Sequence, residues 1–139
     1  MSGGVTISGN QNMATLDGAL PRLQALTGDL SIYSNHNLVT LGICPRLQTI
    51  TGRLYVNSNH NLATLGRALS ALQTIDGSLH ITNNQLLTTI GSSFGGLQSV
   101  GELYWHGNGQ TSSSTTAAFC ASARATLCPT TYDKLPNYR

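Results

Sequence analysis

Two stretches decide the fold: GDLSIYSNHNLVTL, Gly28–Leu41, and GRLYVNSNHNLATL, Gly52–Leu65. They are almost copies, set 24 residues apart. Working outward from them, Gly3, Gly28, Gly52, Gly77 and Gly101 recur at intervals of 24 or 25 residues, and RLQTI (46–50) is answered by ALQTI (71–75). Between successive glycines the same order returns: two alternating apolar residues, an Asn, a Leu, a Thr-Leu or its equivalent, then Leu-Gln and another aliphatic. A repeat of this length is one supersecondary unit that buries its apolar surface only against its neighbours, so such a chain stacks into a solenoid.

Each column of the repeat has a physical meaning. Val5/Ile7, Leu30/Ile32, Leu54/Val56, Leu79/Ile81 and Leu103/Trp105 stand at period two, so each pair points to one side of a short strand. Met13/Leu16, Leu38/Leu41, Leu62/Leu65 and Leu87/Ile90 supply a second inward patch, and Leu23/Leu26, Leu47/Ile50, Leu72/Ile75 and Leu97/Val100 a third. Rungs stacked ~4.8 Å apart bury all three as continuous columns. The glycine opening each unit is expected at a corner with positive φ. Asn10, Asn35, Asn59, Asn84 and Asn108 recur at one phase, Asn12, Asn37 and Asn61 at another. Asparagines in turns satisfy backbone groups that a coil corner orphans, and stacked they form ladders. None is followed by x-Ser/Thr, which makes them structural rather than glycosylated.

Composition narrows the function. The chain has 139 residues, enough for one domain, of which 9% are charged against roughly 25% in an ordinary soluble domain. Lys134 is the single lysine, and the net charge of +2 forms no basic stripe, which argues against a nucleic-acid partner. No apolar run approaches the ~20 residues of a membrane span, so no membrane insertion is expected. The first residues, MSGG, lead straight into a strand pattern without a charged-then-apolar leader, so a secretory signal is expected to have been removed or replaced.

The pattern L-x-I-x-x-N-x-x-L, followed by Leu-x-x-Ile and a Gly opening the next unit, is carried here by Leu30, Ile32, Asn35, Leu38, Leu47 and Ile50. It resembles the receptor L-domain family of leucine-rich repeats, the right-handed β-helical ligand-binding domains of growth-factor receptors. The resemblance covers about residues 3–108. It implies an all-β fold, a right-handed parallel β-helix (β-solenoid) of about four to five 24–25-residue rungs, in a secreted or cell-surface protein. Receptor signalling is not implied, since no cysteine-rich companion, N-terminal cysteine cap or kinase accompanies the repeats.

Residues 109–139 break the pattern and are expected to form a cap and tail, with a short helix near 117–125 and Phe119 and Leu127 covering the last rung. Cys120 and Cys128 flank that helix. In continuous helix they stand ~12 Å apart, too far to bridge. A helix that turns back before Cys128 lets them form a disulfide, which implies an oxidising compartment; the alternative is two reduced thiols. Cys44 occupies the slot of Leu20, Leu69 and Phe94 and reads as a buried free thiol. The first rung has no comparable cap, so self-association there is a further expectation.

Catalysis finds no constellation. The five acids are Asp17, Asp29, Asp76, Glu102 and Asp133, with Asp29 and Glu102 at one phase three units apart, roughly 14 Å by rung spacing. That is wider than a glycosidase pair. His36 and His60 share a phase, but two imidazoles alone are incomplete for zinc, and no metal or other cofactor is expected.

Two outward columns remain. Thr6/Ser8, Ser31/Tyr33, Tyr55/Asn57, His80/Thr82 and Tyr104/His106 alternate with the core pairs. Folding asks only that these positions tolerate a strand, yet Tyr33, Tyr55, His80, Tyr104 and His106 gather amphipathic rings on one sheet, as recognition surfaces do. These five are the expected ligand-binding residues of a non-enzymatic extracellular recognition or adhesion module for a protein, peptide or glycan. The second column, Thr15, Thr40, Thr64 and Thr89, is regular enough to raise an ice-binding (antifreeze) alternative, against which stands a plain Thr and Gln ladder between rungs. A self-stacking structural element of a surface layer or filament is the other alternative.

Overall fold

A computed structural model describes residues 2–88 and 93–109. The proposed cap, Cys120, Cys128 and Thr89 lie outside the described residues. Among those described, every regular element is a strand: β1 (Val5–Ser8), β2 (Ala25–Leu26), β3 (Leu30–Tyr33), β4 (Thr49–Ile50), β5 (Leu54–Asn57), β6 (Thr74–Thr82) and β7 (Ser99–His106). All pairings are parallel, as stacked coils require.

The chain is a β-solenoid with three sides. On the longest side β1, β3, β5, β6 and β7 run in register, Val5↔Leu30↔Leu54↔Leu79↔Leu103 and Ile7↔Ile32↔Val56↔Ile81↔Trp105. The second side stacks Leu26↔Ile50↔Ile75↔Val100 from β2, β4 and the first residues of β6 and β7. The third holds the isolated parallel bridges Thr15↔Thr40 and Thr40↔Thr64. These are the three apolar patches of the repeat, and they close on one core: Leu30, Ile32, Leu54, Val56, Leu79, Ile81, Leu103 and Trp105 are all buried, with Leu38, Leu41, Leu62 and Leu65 from the third side. Val5, Ile7, Met13 and Leu23 of the first rung, with a neighbour on one side only, are partly buried.

The inward slot of Leu20, Cys44, Leu69 and Phe94 is a turn start. Leu20, Cys44 and Leu69 take positive φ (51°, 51° and 61°), and their carbonyls accept the N–H of Leu23, Leu47 and Leu72 three residues on. Cys44 is wholly buried and free, as its slot demands.

The asparagine column is a ladder with one rule per rung. The Asn35 Oδ1 accepts the Asn10 backbone N–H at 3.1 Å and the Asn10 Nδ2 at 3.0 Å. Asn59 does the same for Asn35, Asn84 for Asn59 and Asn108 for Asn84. Each Nδ2 also donates back to a strand carbonyl of the rung below: Asn35 to Ile7, Asn59 to Ile32, Asn84 to Val56, Asn108 to Ile81. Asn35, Asn59 and Asn84 are 0% exposed, so these bonds replace hydration entirely. The residue before each Asn makes the corner: Gly9, Ser34, Ser58, Asn83 and Gly107 all have φ between 55° and 69°.

The glycines that open the units answer a different need from the one expected. Of the five, only Gly3 has positive φ. At Gly28, Gly52, Gly77 and Gly101 the backbones of successive rungs approach so closely that a Cβ would lie 2.6 Å from Gly3 C, 2.7 Å from Gly28 C, 2.5 Å from Gly52 O and 2.4 Å from Gly77 O. Steric contact between rungs, rather than a left-handed dihedral, reserves that column for glycine.

Three outcomes test this architecture. Leu54→Ala or Leu79→Ala is expected to cost ~2–5 kcal/mol in denaturant melts, and Tyr55→Ala or His80→Ala far less; equal losses would place the strand faces the other way round. Asn59→Ala leaves the Asn35 N–H and the Ile32 carbonyl unpaired in the core. Its expected cost is therefore at least ~2 kcal/mol, at about 1–3 kcal/mol per orphaned group. Burial pushes the Cys44 thiol up from 9.0 to about 11. The unfolded chain thus loses that proton first, and the stability the buried thiol contributes, complete below pH 9, falls between pH 9 and 11. Melts of the wild type and Cys44→Ala across that range should diverge, and parallel curves would contradict the assignment.

Candidate functional site

The long sheet presents two columns outward, alternating with the core pairs. One runs Thr6↔Ser31↔Tyr55↔His80↔Tyr104, the other Ser8↔Tyr33↔Asn57↔Thr82↔His106. Four of the five expected binding residues come together there. Tyr33 meets Tyr55 edge-to-face with ring centroids 6.2 Å apart, Tyr55 lies 5.6 Å from His80 at a tilt of 55°, and His80 stacks on Tyr104 at 4.4 Å and 12°. His106 holds the β7 position opposite Thr82; its side chain lies outside the described residues.

The geometry of the contacts defines the surface. Strands of a sheet lie ~4.8 Å apart, so nearly parallel rings on neighbouring strands at 4.4 Å must stand up from the sheet with faces turned toward adjacent rungs. The result is a ridge whose ring edges face outward. It is pinned along one flank by residues two positions earlier in each strand. Ser78 Oγ lies 2.7 Å from His80 Nε2, and the Tyr104 hydroxyl donates to Glu102 Oε2. On the other flank Thr82 Oγ1 and Asn83 Nδ2 both donate to Asn57 Oδ1, at 2.8 and 3.2 Å. Ser78 and Glu102 were not among the expected site residues, although the i, i+2 spacing on a strand places them on the same face as His80 and Tyr104.

At the foot of the ridge Asp29 accepts the Arg53 guanidinium at 2.9 Å and the Arg53 N–H at 2.8 Å. These bonds hold its carboxyl below the usual range. Beside Arg53 the pairing of β6 and β7 slips: Ile75 faces Val100 and Ser78 faces Glu102, so Asp76 and Gly77 oppose Gly101 alone. At this bulge lies an open cleft of ≈ 440 Å³ lined by Arg53, Asp76, Ser78, His80, Glu102 and Tyr104.

The other candidate columns have local employment. Thr15 Oγ1 accepts the Asp17 N–H at 2.9 Å and pairs with Thr40 Oγ1 at 3.1 Å, and Thr64 Oγ1 accepts the Gly66 N–H at 3.0 Å. Those hydroxyls close turns and link rungs instead of forming a free rank. Gln24, Gln48, Gln73 and Gln98 carry a backbone ladder at 2.8 Å per step. His36 and His60 stack at 4.7 Å and 5° on the exposed corner. Among the described residues no group of three or more His, Cys, Asp or Glu is placed to hold a metal ion.

No curated protein and no solved structure matches this chain. The family model of the receptor L domain matches residues 1–95, the span that contains the asparagine ladder as far as Asn84 and the ridge as far as His80. The chain belongs to the receptor L domain family, whose members are ligand-binding modules of the extracellular regions of receptors.

Proposed function

We propose that this module binds a protein or peptide partner, without catalysis, through the ridge of Tyr33, Tyr55, His80 and Tyr104. His106 extends the same face, and the parent protein is secreted or displayed on a cell surface. One observation carries the reading: four successive rungs place rings in contact at outward positions where packing of the core asks for none. Those rings are half-buried against each other, so the surface is already ordered before a partner arrives and little side-chain entropy remains to be lost on binding. The stacking also favours a peptide over a glycan. A sugar ring packs on an open aromatic face, whereas here His80 is covered by Tyr104 and Tyr55 on its two sides, leaving edges, hydroxyls and an imidazole that suit a polypeptide. Five rungs at ~4.8 Å give the face a length of about 20 Å, room for an extended segment of several residues.

Panning a displayed library of short random peptides against the intact chain tests this. Peptides selected by the wild type should lose binding to Tyr33→Ala/Tyr55→Ala, while the melting temperature of that variant stays close to the wild type because both side chains are outside the core. Undiminished binding by the variant would remove the ridge from the site.

A further inference from the structure

We propose that the cleft at the β6–β7 bulge is a subsite for an arginine side chain of the partner; this rests on the reading of the ridge as the binding face. A bulge re-aims the side chains beside it, and here it interrupts an otherwise regular ladder at the foot of the ring column. Gly101 in its lining lies directly against the β6 backbone, where a Cβ would come within 2.4 Å of Gly77 O and 2.7 Å of Asp76 O. At ≈ 440 Å³ it is large enough for a whole side chain.

Its charge selects the occupant. Arg53 forms one wall, with its stem over Gly77, but its guanidinium turns away to the Asp29 carboxylate and is neutralised there. That leaves Asp76 and Glu102, both exposed and both carboxylates, without a cationic partner among the described residues, where Glu102 accepts the Tyr104 hydroxyl. The two approach the cleft from neighbouring strands, β6 and β7. A planar guanidinium carries donors along more than one edge and can engage two carboxylates at once, which a single ammonium does less well. The apolar stem of the same side chain would lie along the Tyr104–His80 stack, continuing the contact that the ridge makes with the rest of the partner.

The probe is Nα-acetyl-L-arginine methylamide, titrated into the intact chain and followed by ¹H–¹⁵N NMR, with the citrulline derivative as its uncharged isostere. The arginine compound should shift the amides of Ser78, His80, Glu102 and Tyr104 saturably, and the citrulline compound should not. Asp76→Asn/Glu102→Gln should weaken binding about tenfold or more, the loss of one to two charge-assisted hydrogen bonds, and added salt should weaken it in the wild type. Equal binding of citrulline, or arginine binding unchanged in the double variant, would overturn the subsite. Tyr33→Ala/Tyr55→Ala separates the two readings, since neither ring lines the cleft: this variant should keep arginine binding while losing selected peptides. Selected peptides that require Tyr33 and Tyr55 but carry no arginine preference overturn the cleft and leave the ridge standing. Arginine binding in the cleft with no peptide selected supports the cleft and overturns the ridge.

Discussion

The buried asparagine ladder is the constraint on which the solenoid depends. A parallel coil must turn a corner after each long strand, and the corner pulls one N–H and one C=O per rung out of the sheet pairing. Water cannot reach them there, because Asn35, Asn59 and Asn84 are fully buried. The side-chain amide has the one composition that serves both: its oxygen accepts the N–H of the preceding rung, and its two N–H groups go to a strand carbonyl of that same rung and to the next Asn. A carboxylate in the same place could not donate to the strand carbonyl, and an aliphatic could do neither. With the corner fixed, strand register follows, and register decides which residues enter the core and which stand on the ridge.

The same column sets what surrounds it. The residue before each Asn must be left-handed, which explains Gly9, Ser34, Ser58, Asn83 and Gly107: small or amide residues at the one phase where φ is positive in every rung. The next strand starts where rungs come closest, and glycine fills that column for lack of space. Variation is confined to places that neither constraint touches. The last rung is one such case: Val100 stands three residues before Leu103, whereas Leu26, Ile50 and Ile75 stand four before Leu30, Leu54 and Leu79, and the difference is taken up where Asp76 and Gly77 face Gly101 alone, leaving the ladder and the core pairs in register above and below.

Much of this was legible in the sequence because the repeat samples each position four or five times. The three apolar columns, the inward slot of Cys44, the asparagine ladder and the adjacency of Tyr55, His80 and Tyr104 all follow from phase alone. What phase cannot carry is the reason for a residue type or the place of an irregularity. An invariant glycine is equally compatible with positive φ and with a close backbone approach, and here the second holds. A rung shorter by one residue still leaves open which side chains border the resulting irregularity, so the cleft was invisible until the pairing of β6 and β7 was known. The Asp29–Arg53 pair and the Ser78–His80 and Glu102–Tyr104 contacts stand at readable positions, but their side chains point along the sheet, a direction that alternation does not encode. In the threonine column the hydroxyls of Thr15 and Thr64 close turns and that of Thr40 bonds Thr15, local contacts that phase does not encode.

The ladder also has a direction. Each Oδ1 from Asn35 to Asn108 accepts from the rung before it, and each backbone N–H of the column from Asn10 to Asn84 donates to the rung after it. The row is therefore polar along the axis of the coil. A twofold axis across the row would bring acceptor to acceptor, or donor to donor, and so interrupt it. A rung added to this coil continues the asparagine row only head to tail. In the language of symmetry, the asparagine row can be extended only by a heterologous contact, never by an isologous one.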